Sequence, residues 1–277
     1  MNRILLFCVN TNIFVSISTF SLYKVSELLF GFQNYEMGLF VFFSTLFAYN
    51  YMRVPLLSYT KHQSSRVIWL QNNNKFIYFL LFISGFCTIW LAIILGLKFL
   101  KLSILPVLIS LIYPLLIRIN NKEYGLRKIP FVKIFLISFT WSYVTLLLPS
   151  LYYDVHVDYF LISSFFQRFL FIIVISIPFD IRDLHYDHIK TIPNTVGVYR
   201  SKLFAWFCLF LIDMLLIIDI INHNITLPVF IGLFVFFELC SVVIYFTNND
   251  QSSFFYSILV EGLSIVMYLF LLIALIF

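Results

Sequence analysis

Nine apolar runs follow one another along this 277-residue chain, each near the length of about 20 residues that an α-helix needs to cross a hydrocarbon core. They centre near residues 13, 45, 87, 109, 140, 168, 212, 236 and 266. In lipid every backbone N–H and C=O must be satisfied within the spanning segment, so runs of this length cross as helices. Composition agrees, with 62% of residues hydrophobic and 11% charged, against roughly a quarter charged in a soluble domain. Nothing between the runs is long enough to fold alone. The expectation is one integral membrane domain over residues 1–277, all-α, a polytopic bundle of about nine transmembrane helices.

Met1 to Leu22 reads as the first membrane helix rather than a secretory signal, because Asn10 and Asn12 interrupt it and no small-residue cleavage site follows. Cys8, Cys87, Cys208 and Cys240 fall one each in four runs without CxxC spacing, the pattern of small buried apolar residues rather than of a disulfide framework or zinc site. Lys and Arg are retained on the cytoplasmic side of a membrane. Alternate loops collect 14 of the 18 basic residues, Arg53, Lys61, Arg66, Arg118, Arg182 and Lys190 among them. That asymmetry puts the N-terminus and the loops after the second, fourth and sixth runs in the cytoplasm, and the expected setting is a bacterial inner membrane. It also gathers positive charge on one face, where an anionic substrate or lipid is drawn. Nucleic acid is not an expected partner.

The residues with the most chemistry follow the sixth run, Phe179-Asp180-Ile181-Arg182-Asp183-Leu184-His185-Tyr186-Asp187-His188. On a helix, Asp180, Asp183 and Asp187 lie within about 60° of one another over roughly 10 Å of axis. Three carboxylates on one face repel unless a cation sits between them. Hard oxygen ligands select Mg²⁺ or Mn²⁺, and Mg²⁺ held by one or two carboxylates, water and phosphate is the usual arrangement at diphosphate sites. The competing reading is a solvated helix end whose acids pair with Arg182 and Lys190. Four further ionisable residues, Arg168, Asp213, Glu238 and Glu261, lie inside apolar runs, where each costs on the order of 2.5 to 3.5 kcal/mol by insertion scales. They are expected to face the bundle interior, with Arg168 pairing with one of the acids, or else to line a polar pocket for a substrate head group. Asp154, His156, Asp158 and Asp219 are expected in water.

At the acidic cluster the sequence resembles the UbiA family of intramembrane polyprenyl transferases. That family's second aspartate-rich motif runs roughly Asn-Asp-x-Arg-Asp-x-x-x-Asp, then Thr-Leu-Pro and a later Gly. Asp180, Arg182, Asp183 and Asp187 match the first part, and Thr191-Ile192-Pro193 with Gly197 matches the second. Phe179 replaces the leading Asn, and the stretch between Asp187 and Thr191 is shorter. The helix count and the inside loops are similar too, so the resemblance covers nearly the whole chain. It implies helices around a central cavity, a prenyl diphosphate held there through Mg²⁺ between two acidic motifs, and transfer of the prenyl group to a lipid-soluble or aromatic acceptor. On that basis Asp180, Asp183 and Asp187 are the catalytic metal ligands, and Arg182 and Lys190 contact substrate.

The chain departs from the family after its second run, where the first acidic motif reads Asn-Asp-x-x-Asp-x-x-x-Asp. Asn50 matches the opening Asn, but Tyr51, Val54 and Ser58 stand where the aspartates belong, and no Asp or Glu occurs between Glu36 and Glu123. At most half of the family's metal site is present, so Mg²⁺ is expected through the second motif only. Arg53, Lys61, His62 and Arg66 in the same loop can bind diphosphate oxygens directly, Arg in a bidentate fork. Tyr113 and Arg118 resemble the family's Tyr and basic residues at the end of the fourth helix, and Asn50 with Tyr49 completes the candidate contacts. The implied mechanism is electrophilic alkylation, an allylic cation forming in an aromatic-walled cavity. Three readings stay open: a prenyltransferase of altered metal use, a non-catalytic relative that binds a prenyl lipid or quinone, and a small transporter, for which the intramembrane charges argue.

Overall fold

The computed structural model describes residues 3–58, 65–113, 115, 117–119, 122–124, 129, 131–185, 191–252 and 254–276. Its helices are α1 (Arg3–Asn10), α2 (Ile13–Phe30), α3 (Tyr35–Tyr51), α4 (Ser65–Asn72), α5 (Asn74–Ile112), α6 (Val132–Ser142), α7 (Leu148–Tyr152), α8 (Tyr159–Arg182), α9 (Ile192–Val196), α10 (Val198–Ile221), α11 (Leu227–Phe246) and α12 (Glu261–Ala274). A π-helical turn, Tyr143–Leu147, joins α6 to α7, and a second, Phe255–Val260, leads into α12. Two short antiparallel strands, β1 (Ile117–Ile119) and β2 (Lys122–Tyr124), set Arg118 opposite Glu123.

Among the described residues, seven helices are long and apolar enough to cross a membrane, where the sequence reading expects nine. The run near residue 45 is α3, a helix of 17 residues. The runs near 87 and 109 share the 39 residues of α5, which holds a non-helical Gly96 at φ 84°, ψ −177°. Side-chain contacts show that the chain reverses there. The ring of Phe47 lies against Gly85, while the ring of Phe40 meets Phe99 with centroids 4.7 Å apart. A straight α5 would separate Gly85 from Phe99 by about 21 Å, against about 10 Å between Phe40 and Phe47 on α3. Beyond the glycine, Lys98 donates to the Tyr152 carbonyl (2.7 Å) and the Tyr143 hydroxyl donates to the Leu102 carbonyl (2.9 Å), so the second limb runs back beside α6 and α7. A side chain pays a steric penalty at positive φ. The sequence reading already divides this stretch into two runs, and Gly96 lies between their centres.

The first membrane helix also differs from the expected Met1–Leu22. It runs Ile13–Phe30, and the short α1 precedes it across a break at Asn12, which sits in the left-handed region at φ 63°. Asn tolerates that conformation better than most residues. At the far end the chain leaves α2 through Gly31 (φ 74°), whose N–H bonds the Glu27 carbonyl, and the Asn34 side chain caps α3 by accepting from Met37 N at 2.8 Å. Asp158 caps α8 in the same way through Leu161 N at 2.9 Å. Two buried clusters hold the bundle. One gathers Tyr23, Met37, Phe40 and Phe99 between α2, α3 and α5, and the larger gathers Phe171, Phe236, Phe237 and Tyr256 among α8, α11 and the start of the last span. Lipid tails are as apolar as these side chains, so close approach rather than hydrophobic driving force holds the helices together. Gly38 shows it: an added Cβ would stand 2.8 Å from the Phe20 ring.

Candidate active site

The ends of α3, α6 and α8 and the start of the last span converge on one cavity of about 190 Å³. On α8 the row Ile172, Ile175, Ser176, Phe179 and Asp180 faces it, the i, i+3, i+4 spacing of one helix face. On α6 it is faced by Lys133, Ile134, Ile137 and Trp141, on α2 by Val15, and from α3 by Tyr49 and the following Arg53. The π-turn before α12 adds Ser257, and α12 itself adds Glu261. The walls are therefore apolar and aromatic, while the charges gather where the helices end. Arg53 and Arg182 lie at the same mouth, as a site built from the loops after the second and sixth runs requires.

Asp180 and Asp183 do not share one unbroken helix face. Helix α8 ends at Arg182, and Asp183 begins a 3₁₀ turn, Asp183–His185. Asp180 is 4% exposed and accepts from Lys133 Nζ at 2.7 Å. Asp183 accepts a bidentate pair from its neighbour, Arg182 Nε at 2.7 Å and Nη2 at 2.9 Å. The Arg182 guanidinium also lies over the Phe179 and Tyr256 rings, 5.2 and 5.7 Å from their centroids, a cation–π placement. Arg182 thus pairs with an acid as the solvated-helix-end reading expects, but inside the cavity mouth rather than in free solvent. Asp187, Lys190, Lys61 and His62 lie outside the described residues, as do the side chains of Arg66 and Arg118. Tyr113 is buried at the end of α5.

Asn50 is fully buried and does not line the cavity; its neighbours Tyr49 and Arg53 do. Its amide is committed within the protein: Oδ1 accepts from Asn12 Nδ2 at 3.0 Å, and Nδ2 donates to the carbonyls of Thr11 (3.1 Å) and Leu46 (2.8 Å). These bonds pin the break between α1 and α2, and Arg53 Nη1 adds a bond to the Asn10 carbonyl at 3.2 Å. Substituting Asn50→Ala removes a partner from each of these groups in the bundle interior, and is expected to cost about 1 to 2 kcal/mol. Thermal unfolding in detergent checks this, and an unchanged Tm would show that the network stabilises nothing.

Two expectations about buried charge are corrected. Arg168, 3% exposed, forms no ion pair among the described residues; its Nη1 donates to Ser26 Oγ and to the Thr145 carbonyl and hydroxyl, both at 3.1 Å. A π-turn displaces carbonyls from the ordinary helical ladder, and Thr145 lies in one, so Ser26 and Arg168 bind a carbonyl the turn displaces. Asp219 is 1% exposed rather than wet, and accepts from Ser163 Oγ (2.9 Å) and Gln167 Nε2 (2.6 Å), one turn apart on α8. Asp154 is exposed, with Lys98 at 2.6 Å. Sequence reasoning missed Lys133 as a site residue: it sits 47 positions from Asp180 and counts there only as an inside-loop cation.

A Mg²⁺ ion needs carboxylate oxygens open to it. Among the described residues no three His, Cys, Asp or Glu side chains converge, and Asp180 and Asp183 are each neutralised by a side-chain cation. As paired they do not fit the ion, which would have to displace Lys133 or Arg182 to bind either acid. No protein-family model matches the sequence, and no curated protein matches it. Solved structures do. A UbiA homologue from Archaeoglobus fulgidus, bound to GPP and Mg²⁺, aligns with TM-score 0.68 at 10% identity over 98% of this chain and 99% of its own. An apo UbiA homologue from Aeropyrum pernix K1 gives 0.65 at 14% identity over 94% and 96%. A structure from work on digeranylgeranylglyceryl phosphate synthase in membranes gives 0.58 at 17% identity over 98% and 96%. From end to end the chain has the fold of the UbiA-type membrane prenyltransferases.

Proposed function

We propose that this protein is an intramembrane prenyltransferase that moves a polyprenyl group from a prenyl diphosphate to a lipid-soluble or aromatic acceptor, using side-chain cations where its relatives use acidic residues and metal. The observation that carries the reading is the union, in one cavity, of three side-chain cations, two of them paired with Asp180 and Asp183, with an aromatic wall. Arg53, Lys133 and Arg182 stand at the mouth, and Tyr49, Trp141 and Phe179 line the wall. Arg53 brings a guanidinium to the mouth, and Lys133, paired there with Asp180, brings an ammonium. As the allylic C–O bond breaks, its electron pair leaves with the diphosphate, where these cations stabilise it. The allylic cation left behind faces the aromatic wall. The acceptor's nucleophile then forms the new bond and loses a proton, for which Glu261 is a carboxylate within the cavity.

Mg²⁺ binding at Asp180 requires the ion to displace Lys133, and at Asp183 to displace Arg182. Those same ion pairs favour a second reading, a non-catalytic relative that binds a prenyl lipid or quinone. One experiment separates them. Purified protein is incubated with labelled prenyl diphosphate and a membrane lipid extract, with and without Mg²⁺. The proposal expects a labelled lipid and released inorganic diphosphate, part of it formed without Mg²⁺. Binding without product supports the second reading, and neither binding nor product overturns both and leaves the transporter.

A further inference from the structure

The cavity-facing row on α8, Phe179, Ile175 and Ile172, continues one turn deeper to Arg168, and the α6 row through Trp141 continues one turn deeper to Thr145. Arg168 therefore lies beneath the floor of the cavity, in the membrane interior. All three of its hydrogen bonds use Nη1, and Nε is buried without a hydrogen-bond partner among the described residues. The edge left over, Nε with Nη2, is one of the forks through which a guanidinium grips two oxygens of a carboxylate or phosphate. A hydroxyl and a peptide carbonyl do not neutralise a buried cation, and a charge at this depth is costly unless an anion meets it. The guanidinium is planar and rigid, and Ser26 on α2 and Thr145 in the π-turn hold its Nη1 from two sides. A ligand oxyanion would find the fork already oriented.

We propose that the Nε–Nη2 edge of Arg168 binds one oxyanion, carboxylate or phosphate, of an amphiphile that enters the cavity. This rests on the functional reading only in naming that amphiphile as the acceptor or its lipid carrier. A prenyl diphosphate held at the mouth and an acceptor oxyanion held at Arg168 would then approach the aromatic wall from opposite ends.

The test uses full-length protein in detergent, saturated with inorganic pyrophosphate so that the mouth is occupied. Three probes are titrated: 4-butylbenzoate, its methyl ester, and 4-butylphenyl phosphate. Stabilisation against heat reads binding. At least one oxyanion probe is expected to bind about tenfold or more tighter than the ester, the scale of a bidentate charge-assisted contact. Preference for the benzoate identifies an acceptor carboxylate, and preference for the phosphate a lipid phosphate. Arg168→Gln should erase the preference, and Arg168→Lys, which keeps the charge but lacks the fork, should lose most of it. If Arg168→Gln does not fold, Arg168→Lys carries the test. Three results would overturn the proposal: a parent that binds ester and oxyanions alike, as when ordered water fills the fork; a preference unchanged in both variants; or a preference that pyrophosphate competes away. A protein that fails to bind prenyl diphosphate but keeps an Arg168-dependent preference would defeat the functional reading and leave this one standing.

Discussion

Replacing Lys133 with methionine is expected to destabilise the protein by about 3 kcal/mol or more, because it removes the 2.7 Å cationic partner of Asp180 while that carboxylate stays buried. The apolar stem of the lysine is retained in methionine, so lost packing contributes little. Asp180→Asn should cost less, since an amide keeps a hydrogen-bonding oxygen for Lys133, whose side chain is 23% exposed and can reach water. The double variant Lys133→Met with Asp180→Asn should recover much of the loss, giving a coupling of about 1 kcal/mol or more in a double-mutant cycle. Unfolding in detergent measures all four proteins. A Lys133→Met protein as stable as the parent would mean that another group neutralises Asp180.

The second large effect is on substrate. Arg53→Ala is expected to weaken prenyl diphosphate binding by about tenfold or more, since a charge-assisted guanidinium contact at the cavity mouth is lost. Lys61→Ala should cost less, a lysine being a point charge. Asp183→Asn should act differently: it removes only the increment that Mg²⁺ adds, and it frees Arg182 from its bidentate acid. Binding measured without Mg²⁺ should therefore survive Asp183→Asn and fall in Arg53→Ala. If Asp183→Asn has no effect with Mg²⁺ present, the acid serves only its ion pair. If Arg53→Ala binds as tightly as the parent, the cationic mouth is a topology signal and nothing more.

The sequence shows the bundle because lipid imposes length and apolarity on every span, and these read directly along the chain. It shows Asp180, Arg182 and Asp183 because they stand together. What it hides is set by distance and depth. Lys133 and Asp180 meet only through the packing of α6 on α8. Glu261 is one of three acids with which Arg168 is expected to pair, yet the span that begins with the π-turn before α12 brings it to the cavity, and no residue pattern marks a π-turn. The runs near 87 and 109 are legible as separate spans, but not that a single residue, Gly96, with no polar loop, joins them. Asp219, near the end of α10, looked wet because helix ends usually are. Ser163 and Gln167, four apart on α8, were the signal that an acid could be satisfied there.

Equilibrium binding of labelled geranyl diphosphate to the purified protein in excess EDTA tests the central claim, that side chains rather than metal balance the diphosphate charge. A sizeable share of the binding measured with Mg²⁺ should persist, and this share should weaken steeply as salt rises, since contacts at a wet mouth are screened over about 10 Å at 0.1 M ionic strength. Complete loss of binding in EDTA would contradict it.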